Sequence, residues 1–251
     1  MTSLRIKLWT GVGAAVLLGV GLQACSAPKS NPEQVAVAPA GPVQAVGEGG
    51  EGGNEGGEAG AQAAFASIPT DSKLALRLAQ LKGFVLIAQK QTDGADAAGV
   101  LLSQGLLESF DKKPEVYTAA GVDEQLLRKA GKTGAAQDLA AVLQNIEAAQ
   151  RRAGGDKAAV IKGMVDIAAG LYQGAVQPGS VDPIDYQHSL GAALSARSLL
   201  QDELGKDPRA KAAAPEMDKF IALWPKLSAP EKPTPASTVA AQASRLELEL
   251  S

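Results

Sequence analysis

The sequence predicts an all-α protein: an antiparallel bundle of about seven or eight helices placed after a leader and a linker. Three observations carry that expectation. Apolar residues recur at helical spacing, as in Leu74, Leu78, Leu81 and Val85, and again in Val160, Met164, Ala168 and Leu171. Helix boundaries carry matching chemistry, since Asp182-Pro183 and Asp207-Pro208 each set a capping carboxylate before a proline suited to the first helical position. The alternation of β-branched and polar residues that marks a half-buried strand is missing.

Residues 1–24 read as an address. Met1 to Lys7 carries Arg5 and Lys7 with no acid, and Leu8 to Gly21 is an uncharged, mainly apolar run. That order is the one found in secretory signal peptides. At about 14 residues the run falls short of the roughly 20 needed to cross a bilayer core. Leu22-Gln23-Ala24-Cys25 follows, and resembles the lipobox of bacterial lipoproteins, in which the peptide is cut before the Cys and the Cys becomes the acylated N-terminus. The resemblance implies lipidation at Cys25 by palmitate-type chains and a place in the cell envelope. By resemblance to proteobacterial lipoproteins, Ser26 in place of Asp after the Cys implies the outer membrane, facing the periplasm. Each buried methylene contributes about 0.8 kcal/mol, so two or more chains anchor stably where one is marginal. The alternative is an ordinary signal peptide with an incidental Cys.

Residues 25–66 shift to Pro, Ala, Gly and Glu, ending in the near-repeat Gly47-Glu48-Gly49-Gly50-Glu51-Gly52-Gly53-Asn54-Glu55-Gly56-Gly57-Glu58. So little apolar surface does not offset the entropy of ordering it, which predicts a disordered linker. A Gly-rich chain of roughly 41 residues has an r.m.s. reach of about 35 Å, enough to let a domain leave a membrane surface. The spaced Glu residues read as solvated spacer in preference to a weak cation site.

Residues 67–251 then form one helical domain. Helices are expected near 71–91, 95–110, 122–130, 134–152, 156–175, 183–204, 208–224 and 238–250. Thr133, Asp156 and Ser237 or Thr238 are N-cap candidates, and Gly205 sits where a helix should stop. Pro230, Pro233 and Pro235 exclude a continuous helix over 226–236. Arg245 to Leu250 alternates apolar and charged residues, but Val239, Ala240, Ala241 and Ala243 before it favour helix. Repeats of the tetratricopeptide kind are not found.

The charge and residue inventory restricts the chemistry. With 24 Lys and Arg against 27 Asp and Glu the net charge is −3, and no basic cluster tracks a phosphate backbone, so nucleic acid is not expected as a partner. One Cys and one His fill neither a disulfide framework nor the usual four-ligand zinc site. The candidate metal pair is His188 with Asp185, three residues before it on a helix. Tyr186, Leu190, Ala193, Leu194, Leu200 and Leu204 mark the apolar face of that helix and place His188 nearly opposite, so a solvated histidine is expected. Asp202, Glu203, Glu216, Glu108 and Glu115 could pair across helices as in a di-iron bundle, but the Glu-x-x-His such bundles use does not occur. The aromatics Phe84, Phe110, Tyr117, Tyr172, Tyr186, Phe220 and Trp224 read as core. Gly154-Gly155 precedes a helix without the strand and Lys-Ser/Thr of a phosphate loop.

Four short segments carry a second resemblance. Leu81-Lys82-Gly83-Phe84, Lys113-Pro114-Glu115-Val116-Tyr117, Trp224-Pro225 and Ala243-Ser244-Arg245-Leu246-Glu247-Leu248 are similar to segments of a set of uncharacterised periplasmic helical lipoproteins with a Gly/Glu-rich tether. In those, the first helix carries a Gly-His step and the second is followed by His-Pro. Here Phe84 and Lys113 stand at those places, so any metal role of the family histidines is not implied for this chain. The Gly-x-His-x-x-Glu motif of imelysin-type domains is also missing. The sequence therefore points to a non-enzymatic, membrane-tethered envelope protein whose helical domain binds a partner protein or a small ligand and calls for no cofactor. The alternative is a metal- or haem-handling helical protein using His188 and Asp185. A third reading is an enzyme built on a carboxylate pair with a raised pKa.

Overall fold

The computed structural model describes residues 55–251, with side chains from residue 61 onward. The expected signal peptide, Cys25 and most of the expected linker lie outside the described residues. Ten α-helices account for most of this part of the chain, confirming the all-α class: α1 (Glu55–Ser67), α2 (Lys73–Gln89), α3 (Ala95–Glu108), α4 (Pro114–Ala119), α5 (Glu124–Thr133), α6 (Ala136–Ala153), α7 (Lys157–Ala175), α8 (Pro183–Glu203), α9 (Pro208–Ile221) and α10 (Ala236–Glu249). Eight of them correspond to the expected helices. The other two, α1 and α4, are additions. A hairpin of two short strands, β1 (Val176–Gln177) and β2 (Ser180–Val181), turns the chain between α7 and α8.

Helix α8 is the axis of the bundle, packed by α7, α2 and α9, while α2 also meets α6, α3 and α7. Close approach of α2 and α8 rests on a pair of glycines facing each other. A Cβ on Gly83 would come within 2.7 Å of the Gly191 carbonyl oxygen, and one on Gly191 within 2.8 Å of that of Gly83. Helix α8 is correspondingly rich in small residues, and Ser189, Gly191, Ala192, Ala193, Ser195 and Ala196 are all buried. Ser195 satisfies its hydroxyl by donating to the Ala79 carbonyl at 2.7 Å across the same interface.

The helix ends follow the expected cap chemistry at three places. Asp182 accepts from the Ile184 and Asp185 amides at 2.9 and 3.0 Å, Asp156 from Ala158 and Ala159 at 2.9 and 3.2 Å, and Asp207 from Arg209 at 2.9 Å. Thr133 is not an N-cap. It closes α5, and Gly134 follows in the left-handed region at φ 53°, where a Cβ would strike the Ala95 carbonyl. The Thr133 hydroxyl still accepts the Ala135 amide at 3.2 Å. Helix α10 starts at Ala236 after Pro235 with no side-chain cap, so Ser237 and Thr238 lie inside it. The chain over 245–249 is helical.

The expected linker ends too late. Residues 55–66 belong to α1, which packs on α7, with Ala64 buried and Phe65 half-buried against the core. Its alanines and Phe65 supply an apolar stripe that composition alone hides among Gly and Glu. The Pro-rich segment after Trp224 is held by hydroxyl groups: Tyr172 donates to the Thr234 carbonyl at 2.8 Å and Thr234 to the Leu223 carbonyl at 3.0 Å. Trp224 donates from Nε1 to Ser189 at 2.9 Å. Phe220, Trp224, Tyr172 and Tyr186 meet in succession, edge-on or tilted, with ring centroids 5.0–5.6 Å apart, all in the core. Burial, and then the neighbouring Tyr172 hydroxyl, push the Tyr186 phenol up to about 12.

One charged residue sits deep in this core. Lys82, 1 % exposed, donates from Nζ to Ser198 Oγ at 2.8 Å and pairs with Glu147 Oε1 at 2.9 Å, tying α2 to α8 and α6. No helix among the described residues is long and apolar enough to cross a membrane.

Candidate functional site

Where α1, α2, α7 and α8 meet the turn after α3, the surface opens into a groove of about 360 Å³. Helix α2 lays one stripe along it, because Arg77, Gln80 and Phe84 follow at i, i+3 and i+7. Helix α1 contributes Phe65, and α4 contributes Tyr117. Pro114 at the first helical position starts α4 and leaves Lys113 just outside it, on the rim. The space is of the size that takes small ligands, and its three aromatic rings stand among mostly polar and charged side chains.

The Arg77 guanidinium lies 4.8 Å from the centre of the Phe65 ring. It also approaches the buried Tyr117 hydroxyl. Burial raises the Tyr117 phenol above its ordinary value, while the Arg77 charge and hydrogen bonds with Ser109 and Arg77 oppose the shift. The Tyr117 ring packs on Phe110 at 5.4 Å. Phe84 needs the missing side chain of Gly105, since a Cβ there would overlap its ring.

Behind Phe84 lies His188, and here the sequence expectation fails. His188 is 1 % exposed, with Phe84 edge-on at 4.8 Å. The cause is the position of α8: with α2, α7 and α9 around it, its middle turns have no solvent side, and the small residues opposite the Leu stripe are buried as well. Glu108 Oε2 comes within 2.9 Å of His188 Nδ1 from the end of α3. The approach is not aligned as a hydrogen bond, and neither ring nitrogen has a hydrogen-bond partner among the described residues.

Asp185, the proposed co-ligand, lines the groove. Glu108, not Asp185, is the carboxylate at the imidazole. Among the described residues no three of His, Cys, Asp and Glu converge as a metal site. The carboxylates named from sequence do not pair with one another: Glu216 meets Lys219 and Gln242, and Glu203 meets Lys206. The acid pair that does form joins Asp166 of α7 to Glu247 of α10. Burial and the adjacent Asp166 push Glu247 up to about 7, and burial also raises Asp166.

Phe84 and Tyr117 were visible in the sequence as aromatic positions. Arg77 and Phe65 were missed, the first because one Arg in a helix reads as surface and the second because it lay within the expected linker. Phe84 and Lys113 both line this one groove. In comparisons with known proteins the chain matches no family model, no curated protein and no solved structure.

Proposed function

We propose that the chain is a lipid-anchored lipoprotein of the cell envelope, tethered through acylated Cys25, whose non-enzymatic helical domain binds a small ligand in the groove between α1, α2, α4 and α8. The observation that carries the binding role is the groove itself: Phe65, Phe84 and Tyr117 offer apolar surface while Arg77, Lys113 and Asp185 supply polar groups at its edge. Anchoring is supported by the order of the leader, with two basic residues, an apolar run and the lone Cys of the chain directly after Leu22-Gln23-Ala24. A linker behind that Cys keeps the domain within reach of the membrane while leaving the groove free to meet solutes.

The two halves are tested separately. Metabolic labelling with an alkyne palmitate should mark the wild-type chain and leave Cys25→Ser unlabelled and released from membranes; equal labelling of both overturns the anchor. For the groove, a small-molecule fragment screen by NMR should move Phe84 and Tyr117 resonances, and Phe84→Ala should abolish those shifts. Fragments that bind only elsewhere overturn the binding role. A second reading, metal or haem handling, draws on one observation, the buried His188 imidazole with a carboxylate at 2.9 Å and no hydrogen-bond partner. Micromolar binding of zinc, ferrous iron or haem that is lost in His188→Ala would replace the first reading.

A further inference from the structure

Resting on the reading of the groove as a ligand site, we propose that its ligand is a small aromatic carboxylate, with the anionic group on the Arg77 guanidinium and the ring against Phe65, Phe84 and Tyr117. Arg77 is half-buried, and its neighbours in the structure are a neutral ring and a neutral phenol. Among the described residues no carboxylate pairs with it, whereas Arg128, Arg197 and Arg209 each meet one. A guanidinium that has lost water without gaining a counter-ion keeps more donors than a phenol can use, and a carboxylate matches its planar fork in two parallel hydrogen bonds. The partial desolvation of the groove strengthens such a contact over its value in water.

The charge inventory suits a ligand of one negative charge. The groove carries Arg77, Lys112 and Lys113 against Glu108 and Asp185, a surplus of one positive charge, so a dianionic phosphate would crowd the two acids. The walls select the body. Phe65 and Phe84 line the groove, with Arg77 over the Phe65 ring, Tyr117 lies beside Arg77, and Leu171 closes the side nearest α7. About 360 Å³ lies near the lower end of small-molecule sites, which suits one or two fused rings better than an extended acyl chain. Rings stacked or set edge-on against these side chains gain from quadrupole geometry beyond the area they bury.

Calorimetric titration of the full-length protein with 2-naphthoate, its neutral amide and decanoate tests the proposal. Wild type should bind the naphthoate at least about tenfold more tightly than the amide, and more tightly than decanoate. Arg77→Gln should erase the acid-over-amide preference, Arg77→Lys should keep part of it, and Lys113→Gln on the exposed rim should narrow it about two- to threefold. If Arg77→Gln does not fold, the wild-type ratio and the Lys113→Gln series decide. An amide bound as tightly as the acid overturns the anionic class and leaves the groove reading standing. Tighter binding of decanoate overturns the aromatic class. No binding of any of the three, together with no fragment response at Phe84 and Tyr117, removes the groove reading itself.

Discussion

Truncating Glu147 to alanine would strand an ammonium group inside the bundle. Lys82 Nζ has two partners, Glu147 Oε1 at 2.9 Å and Ser198 Oγ at 2.8 Å, and the lysine side chain is 1 % exposed while that of Glu147 is 35 % exposed. Breaking a fully buried pair costs about 3–5 kcal/mol, because the remaining charge keeps its desolvation penalty and loses its compensation. Two features lower that figure here. The Ser198 hydroxyl stays, and the space vacated at the half-exposed Glu147 admits water toward Nζ. The expected loss for Glu147→Ala is therefore about 2–3 kcal/mol in urea unfolding followed by far-ultraviolet circular dichroism. Replacing both charges, as in Lys82→Met with Glu147→Leu, should return the protein to within about 1 kcal/mol of wild type, since apolar atoms then fill the same volume. A Glu147→Ala protein within about 0.5 kcal/mol of wild type would refute the reasoning, for it would mean the ammonium is already solvated.

Three other perturbations have definite signs. Glu247, held at about 7 against an ordinary 4.5, binds its proton more tightly in the folded state, so stability should fall as pH rises through that window, by about 1–2 kcal/mol after allowance for its partial exposure. Glu247→Gln should flatten the slope measured by unfolding between pH 4.5 and pH 8, and an unchanged slope would remove the Asp166–Glu247 contact as its cause. Gly83→Ala should destabilise by about 2 kcal/mol although alanine is the better helix former by about 1 kcal/mol, because the added carbon meets the Gly191 backbone and no side chain that can rotate away. A stabilised variant in thermal melts would show that α2 and α8 separate cheaply. Asp182→Ala, which removes the acceptor for two amides at the start of α8, should cost about 1 kcal/mol, and Asp182→Asn much less; equal losses in the two would point away from capping.

The helical class was legible because it rests on local signals. The spacing of Leu78, Leu81 and Val85, all fully buried, and the Asp caps of α7, α8 and α9 are statements about a turn or two of chain. What was not legible depends on neighbours. His188 looks solvated on a helical wheel that treats Ser189, Gly191 and Ser195 as neutral, yet those small residues are what let α2 come close enough to bury that side. Lys82 reads as surface in any hydropathy pattern, and only Glu147 and Ser198, 65 and 116 positions away, explain it. Glu247 and Asp166 are likewise ordinary acids until α10 is laid on α7. Of the groove, the aromatic walls from α2 and α4 stood out as residues, but their meeting with Arg77 and with α1 is a product of the packing.

That α1 belongs to the folded body has a practical outcome for anyone expressing the helical domain alone. A fragment begun at 67, where the composition changes, would discard Phe65 and Ala64, unroof one side of the cavity, and bare the apolar strip of α7 on which α1 rests. Such a fragment would be stickier than the parent, so an expression boundary ahead of Glu55 is the safer cut.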